Sequence, residues 1–253
     1  MLKLPPIETS RHKYKAGYVL GVAGSLEMPG AAALSSEAVL RSGAGIVRLF
    51  TDHPHGLRNE VIREKYSLVR IKKEAERADA YFIGPGLGRD GVVEKRLKAL
   101  LGGIALPGVI DGDALFFLKK VPPNAILTPH LGEMEWLLKK KPTLESCQKY
   151  AEKHQTILVL KGPTTTIFHP QKKPVVSTQG DPGMATAGTG DVLTGLIAGL
   201  IAQKMKPYEA AILGVYLHGT AGELAAADLT SYCMIASDLL DYLPIVFSSL
   251  DTN

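Results

Sequence analysis

The residues best placed to do chemistry lie in STQGDPGMATAGTGDVLTGLIAGLIAQ, which begins at Ser177. Its first half is crowded with Gly and Thr, and from Val192 it becomes an apolar run with helical spacing that closes at Gln203, so a loop feeds a helix. The first amides of such a helix lack intrahelical acceptors and carry the positive end of the macrodipole, which favours an anion. Gly188 and Gly190, on either side of Thr189, remove side chains that would keep a phosphate from the backbone. Asp191 then reads either as a helix N-cap or as a general base aimed at whatever lies over the anion. Gly183, Gly188 and Gly190 together exceed what one cap needs. No Lys follows the last glycine, as a Walker loop requires, and no early strand precedes the loop, as a dinucleotide fingerprint requires.

Alternating strands and helices must position this loop. GYVLGVAGS predicts a buried strand, MPGAAALSSEAVLRSGAG a helix between Pro29 and Gly43, and GIVRLF a second strand. A polar loop follows, whose His53 and His55 lack a third metal ligand nearby. SLVRI reads as a short strand with a charged helix after it. ADAYFIGPGLG is an apolar strand ending in a tight turn, and open α/β sheets bind ligands at such carboxyl ends. PGVIDGDALFFL gives a strand and a helix, with Asp111 at the strand end and Asp113 as the N-cap, a pair that can simply cap and brace. NAILTPHLGEMEWLL repeats strand, turn and helix, leaving His130 as either a cap or a ligand contact with Glu133 one turn on. Thr143 caps a further helix, TILVLKG returns to the sheet with Lys161 at its edge, and KKPVVST is the last strand. Two largely buried helices and an amphipathic tail complete a mostly parallel α/β sheet covered on both faces, expected as one domain over 1–253.

Bulk composition narrows the partners. The chain has 253 residues, 45% hydrophobic and 21% charged, as an ordinary globular protein has. Its net charge of +4 comes from Lys and Arg interleaved with acids, which argues against nucleic acid. The KKK run at 139–141 reads as a solvated helix end. The longest apolar stretch is broken by His218 and Glu223, so it reads as a buried helix rather than a membrane span. Cys147 and Cys233 lie in no metal or redox spacing, and the N-terminus lacks an apolar signal core, so a cytoplasmic location is expected.

GMATAGTGDVLTG resembles the signature of the ADP- or ATP-dependent NAD(P)H-hydrate dehydratases, a branch of the ribokinase-like superfamily. The resemblance extends from about Tyr14 onward and implies that Gly188, Thr189 and Gly190 form an anion hole with Asp191 as catalytic base and substrate contact. It implies further substrate contacts: Ala31 in the GS…PGA segment, Gly86 in GPGLG, and His130 in TPHLGE facing the hydrated nicotinamide. KGPTTT resembles the family's KGxxT segment and implies an adenine-nucleotide site at Lys161, Gly162, Pro163, Thr164 and Thr165. Three departures stand out, Gly112 in the usual Asp-Ala-Asp-Ala-Leu, Asp181 for Asn, and Ala187 for Gly. Asp181 would set a further carboxylate near phosphates, and Ala187 could crowd the loop.

The implied function is repair of hydrated NADH and NADPH with ADP or ATP as co-substrate. The nucleotide phosphorylates the substrate hydroxyl, and phosphate elimination restores the nicotinamide double bond. Magnesium is expected on the phosphates with unassigned protein ligands, and a homo-oligomer, such as a tetramer in the family's manner, is expected as the assembly. The alternatives are a small-alcohol kinase on the same fold and a non-catalytic nucleotide-binding module.

Overall fold

The computed structural model describes residues 3–251. Its centre is a nine-stranded sheet of order β3-β2-β1-β4-β5-β6-β7-β8-β9. The strands are β1 (Tyr18–Val22), β2 (Ile46–Phe50), β3 (Ile62–Glu64), β4 (Ala80–Ile83), β5 (Gly108–Ile110), β6 (Ala125–Leu127), β7 (Ile157–Leu160), β8 (Thr165–His169) and β9 (Lys172–Ser177). Pairing is parallel from β3 across to β7, and β8 and β9 are added antiparallel at that edge.

Two cores follow from the alternation of side chains along each strand. On one face Val19, Val47, Phe82, Val109, Ile126 and Val159 pack beneath α1 (Pro29–Arg41), α6 (Thr189–Ala202), α7 (Pro207–Leu229) and α8 (Ala236–Asp251). On the other, Leu20, Phe50, Tyr81, Ile110, Leu127 and Leu158 pack against α2 (Leu68–Ala75), α3 (Gly91–Leu101), α4 (Leu131–Leu138) and α5 (Leu144–His154). Burial on both faces explains why the parallel strands read as continuous apolar runs.

Helix α6 is buried on every side from Val192 to Ala202, so its glycines are packing residues. A Cβ on Gly195 would stand 2.0 Å from the Ser35 carbonyl oxygen of α1, and one on Gly199 would stand 1.9 Å from Ser42 Oγ. Gly195→Val is therefore expected to lower unfolding stability by about 3 kcal/mol, read as a lower denaturation midpoint at unchanged slope.

The sequence expectations need four corrections. The segment expected as the strand SLVRI is helix α2, because the Ser67 side chain accepts the Arg70 amide as an N-cap and Ile71 is buried one turn on; the strand lies upstream at β3. The β-branched TTIFH, unassigned as a strand, is β8, with β9 forming a hairpin. Helix α6 begins at Thr189 rather than Val192, so Gly188 holds its N-cap position and Asp191 lies in its first turn. Asp113 caps nothing: Asp111 occupies the N-cap position of the 3₁₀ turn Gly112–Phe117, and makes no side-chain cap bond. Thr143 does cap α5, and no helix of the described residues is long and apolar enough to cross a membrane.

Candidate active site

The sheet reverses direction of growth between β1 and β4, and α1 and α3, which follow these two strands, pack on opposite faces. Such a switch point opens a crevice at the carboxyl ends of the strands. Here the turn after β4 meets the start of α1. Gly86 has φ +59°, and a Cβ on it would stand 2.7 Å from the Ala31 Cβ and 2.8 Å from the Met28 carbonyl oxygen. Gly84 is equally constrained, with φ +126° and room for no Cβ beside the Asp111 carbonyl oxygen at 1.8 Å. The GPGLG turn is thereby pressed onto both α1 and the end of β5.

At the end of β5, Asp111 is 2% exposed and both of its oxygens are engaged. Oδ1 accepts Lys161 Nζ at 2.7 Å from the end of β7, and Oδ2 accepts Thr194 Oγ1 at 2.8 Å from α6. Lys161 is thus not a solvated edge charge: its ammonium points inward, 3.1 Å from where a Cβ on Gly190 would lie. Burial disfavours that ammonium, but the charges of Asp111, Glu133 and Asp191 outweigh the penalty and hold its pKa above the ordinary value. Gly190 consequently lets the first turn of α6 sit directly against the Asp111–Lys161 pair.

Asp191 stands half-buried in that turn, and among the described residues no donor reaches its carboxylate. Burial first, and the Asp111 charge second, push its pKa up to about 7, with Lys161 opposing them. A base of that pKa is matched to neutral conditions. Its amide donates to Gly188 O at 3.0 Å.

His130 begins α4 as its N-cap. Its Nδ1 accepts the Gly132 and Glu133 amides at 3.0 and 3.3 Å, while Glu133 Oε2 accepts the His130 amide at 2.8 Å. The cap reading of His130 is therefore correct, and it decides the tautomer: with Nδ1 accepting, the neutral ring carries its proton on Nε2. Burial, then the nearby Lys161 charge, lower its pKa and keep it neutral. Burial raises the pKa of Glu133. The His130 ring is more than half exposed, and its backbone bridges to Lys161, so the same residue caps a helix and faces the crevice.

The first residue of α6 and the loop ahead of it are held from α7 by the two polar residues that interrupt its apolar sequence. His218 Nε2 lies 2.8 Å from the Thr189 carbonyl oxygen, and Glu223 Oε1 accepts the Gly180 amide at 2.9 Å. Burial lowers the pKa of His218 to about 4, so it holds the loop as a neutral donor. Gly188 has φ +98°, and a Cβ there would lie 2.4 Å from Leu34 Cδ1 of α1. Asp181 accepts the Gly183 amide at 2.7 Å and caps the 3₁₀ turn Pro182–Met184; Ala187 is exposed.

Gly188, Thr189, Gly190, Asp191, His130 and Lys161 are thus gathered at one edge, with Ala31 and Gly86 joined to it through α1 and the β4 turn. Gly162, Pro163 and Thr164 form the exposed turn from β7 to β8, and Thr165 opens β8. Asp111, Thr194 and His218 were not singled out as site residues by their sequence context. The available signal was each polar residue's place in an otherwise apolar run.

Among the described residues no three His, Cys, Asp or Glu side chains converge to hold a metal. Asp111 is buried with a donor on each oxygen and Glu133 accepts the His130 amide, which leaves Asp191 as the carboxylate of this group without a donor. The arrangement fits magnesium carried by phosphates and water rather than a protein cage.

The sequence pattern of the family described as NAD(P)H-hydrate dehydratase matches residues 19–245. A bifunctional NAD(P)H-hydrate repair enzyme of Moorella thermoacetica is 38% identical over 280 aligned residues, covering 98% of this chain and 52% of that enzyme. The chain spans about half the length of the bifunctional curated relatives it matches. An ADP-dependent (S)-NAD(P)H-hydrate dehydratase of Enterococcus faecalis is 34% identical over 92% of this chain and 85% of its own length. The crystal structure of the ADP/ATP-dependent NAD(P)H-hydrate dehydratase from Bacillus subtilis, co-crystallized with ATP/Mg2+, superposes with a TM-score of 0.85 at 31% identity, covering 98% of this chain and 95% of that one. A hydroxyethylthiazole kinase from Pyrococcus horikoshii, 17% identical with a TM-score of 0.65 over 91% of this chain and 89% of its own, shares the fold.

Proposed function

The chain belongs to the NAD(P)H-hydrate dehydratase family, and on that premise we propose that it restores NADH and NADPH from the S form of their hydrates, using ADP or ATP. The observation that carries this reading is the accessible, donor-free carboxylate of Asp191 in the first turn of α6, beside the amides of Gly188, Thr189 and Gly190. Hydroxide leaves poorly, so the hydroxyl oxygen first takes the terminal phosphoryl group while Asp191 takes its proton. The carbon–oxygen bond then breaks to orthophosphate, and loss of a neighbouring ring proton restores the double bond.

In this reading the bare amides at 188–190 receive the charge spread over the transferring phosphoryl oxygens. Lys161 adds positive charge beneath them, and its neighbours Gly162, Pro163, Thr164 and Thr165 hold the adenine nucleotide. His130, whose Nε2 lies 3.4 Å from Glu133 Oε1, presents its exposed ring to the substrate ring, which rests between Ala31 and Gly86. Magnesium, when bound on the phosphates, neutralises their charge. The unbroken nine-stranded sheet supports treating the chain as one such unit.

Hydrated NADH incubated with ADP or ATP tests the function. Recovery of reduced-nicotinamide absorbance with release of orthophosphate is expected. A stable phosphorylated alcohol formed from another substrate, with no recovery, would move the assignment to a small-alcohol kinase.

The rate should also report Asp191. Because the carboxylate must be ionised to accept a proton, and its pKa is raised to about 7, kcat/KM rises as pH climbs through about 7 and levels above it. His130, whose pKa is lowered, contributes no competing step above its ordinary value. Glu133, raised by burial to about 7, titrates in the same window, so the limb belongs to Asp191 only if Asp191→Asn abolishes it. A profile recorded from about pH 5 to about pH 9 checks this.

A further inference from the structure

The thioether of Met184 is built into the loop that feeds α6. Its side chain fills a notch that α7 leaves at Gly222: a Cβ on that glycine would have the Met184 Cγ, Sδ and Cε all within 2.9 Å. The sulfur also accepts the Asp181 amide at 3.4 Å, across the 3₁₀ turn Pro182–Met184. On its other side the turn rests against Met234, whose sulfur lies 2.6 Å from where a Cβ on Gly183 would stand. Two sulfurs therefore fix one turn, and they differ in access: Met234 is 3% exposed, whereas Met184 is half-buried. The backbone of Met184 in turn reaches the bare amides. Its carbonyl oxygen accepts the Thr189 hydroxyl at 3.0 Å, and Thr189 is the first residue of α6, between Gly188 and Gly190.

We propose that Met184 is a site of reversible oxidation, at which conversion of the thioether to the sulfoxide weakens phosphate binding at residues 188–190. The nucleotide readout rests on the dehydratase reading above. A peroxide is the oxidant: a sulfur lone pair attacks one peroxide oxygen, the O–O bond breaks and an S–O bond forms. Sulfur loses two electrons, and the second peroxide oxygen takes them and leaves as water after proton transfer. The product is polar and brings one more heavy atom into a notch with no room for a methyl group, so the side chain must leave it. The turn then moves with its residue, and the Thr189 hydroxyl loses the acceptor that sets the start of α6. Methionine sulfoxide reductases return the thioether, which makes the change a switch.

The test treats the full chain with hydrogen peroxide, maps its peptides by mass and titrates it with ADP by calorimetry. Oxygen addition at Met184 should accompany a loss of ADP affinity of about tenfold, the worth of one charge-assisted hydrogen bond, and methionine sulfoxide reductase should restore both. Met184→Leu keeps an apolar side chain of similar volume that peroxide cannot oxidise, so its treated and untreated samples should bind ADP alike. Met28, 39% exposed at the start of α1, is the competing sulfur, and Met28→Leu should stay as sensitive as the unaltered protein. Gly222→Ala drives a methyl group into the notch, so it should weaken ADP binding with no oxidant present, and it carries the test if Met184→Leu unfolds. Full affinity with Met184 oxidised, an equal peroxide loss in Met184→Leu, or unaltered affinity in Gly222→Ala would overturn the proposal. So would a Met184 that stays a thioether while Met28 is oxidised. Untreated protein that binds ADP but recovers no NADH from its hydrate would overturn the dehydratase reading alone, and failure to bind ADP at all would overturn both.

Discussion

Asp191→Asn will lower kcat by about a hundredfold to about ten-thousandfold, the range in which a positioned general base contributes. The Asn side chain keeps the shape of the carboxylate and loses only its ability to accept the hydroxyl proton, so KM for the nucleotide should move far less than kcat. A non-catalytic nucleotide-binding module predicts no such loss. The same variant should be more stable than the unaltered protein above neutrality. Asp191 ionises at a higher pH folded than unfolded, so its favourable contribution is complete below the unfolded carboxylate value and is lost as pH rises through about 7. An amide at that position carries no charge to repel Asp111 and suffers no such loss. Thermal unfolding at about pH 8 should therefore give a higher midpoint for Asp191→Asn, and a lower one would contradict the electrostatics described here.

Asp111→Ala should cost about 3 to 5 kcal/mol of stability, since it leaves the inward-pointing Lys161 ammonium without its close partner. It also frees Thr194 Oγ1 and removes one of the charges that raise the Asp191 pKa. Removing both charges in Asp111→Ala with Lys161→Met should recover much of the loss, because the buried pair carries its own desolvation cost. Denaturant unfolding of the two single variants and the double variant measures this coupling directly, and additive losses would mean the pair is not energetically linked. In whatever activity Asp111→Ala retains, the pH-rate limb should shift downward, because Asp191 would ionise more readily.

How much of this arrangement could be read from the chain follows the physics of each part. The parallel strands were legible because strands buried on both faces must be continuously apolar. The α6 loop was legible because bare backbone needs glycine. Strand β3 was not, since Ile62–Glu64 is three residues long and carries two charges, and α2 was misread because the Ser67 cap acts only in three dimensions. Lys161 was placed at the right edge, but its inward direction depends on Asp111, fifty residues earlier in the chain. His218 and Glu223 were noticed only as interruptions in an apolar helix. Their roles appear once α7 packs beside the loop whose Thr189 carbonyl oxygen and Gly180 amide they hold. Asp113 shows the limit most plainly: its position before a helical segment suggested a cap, whereas the fold turns it toward Gly88 and Arg89.

On this reading Asp191 delivers the substrate hydroxyl to a phosphoryl group rather than assisting its departure as water. Hydrated NADH carrying heavy oxygen in that hydroxyl distinguishes the two. With ADP or ATP, the label should leave in orthophosphate as NADH is recovered; recovery of NADH with the label in water would rule this route out.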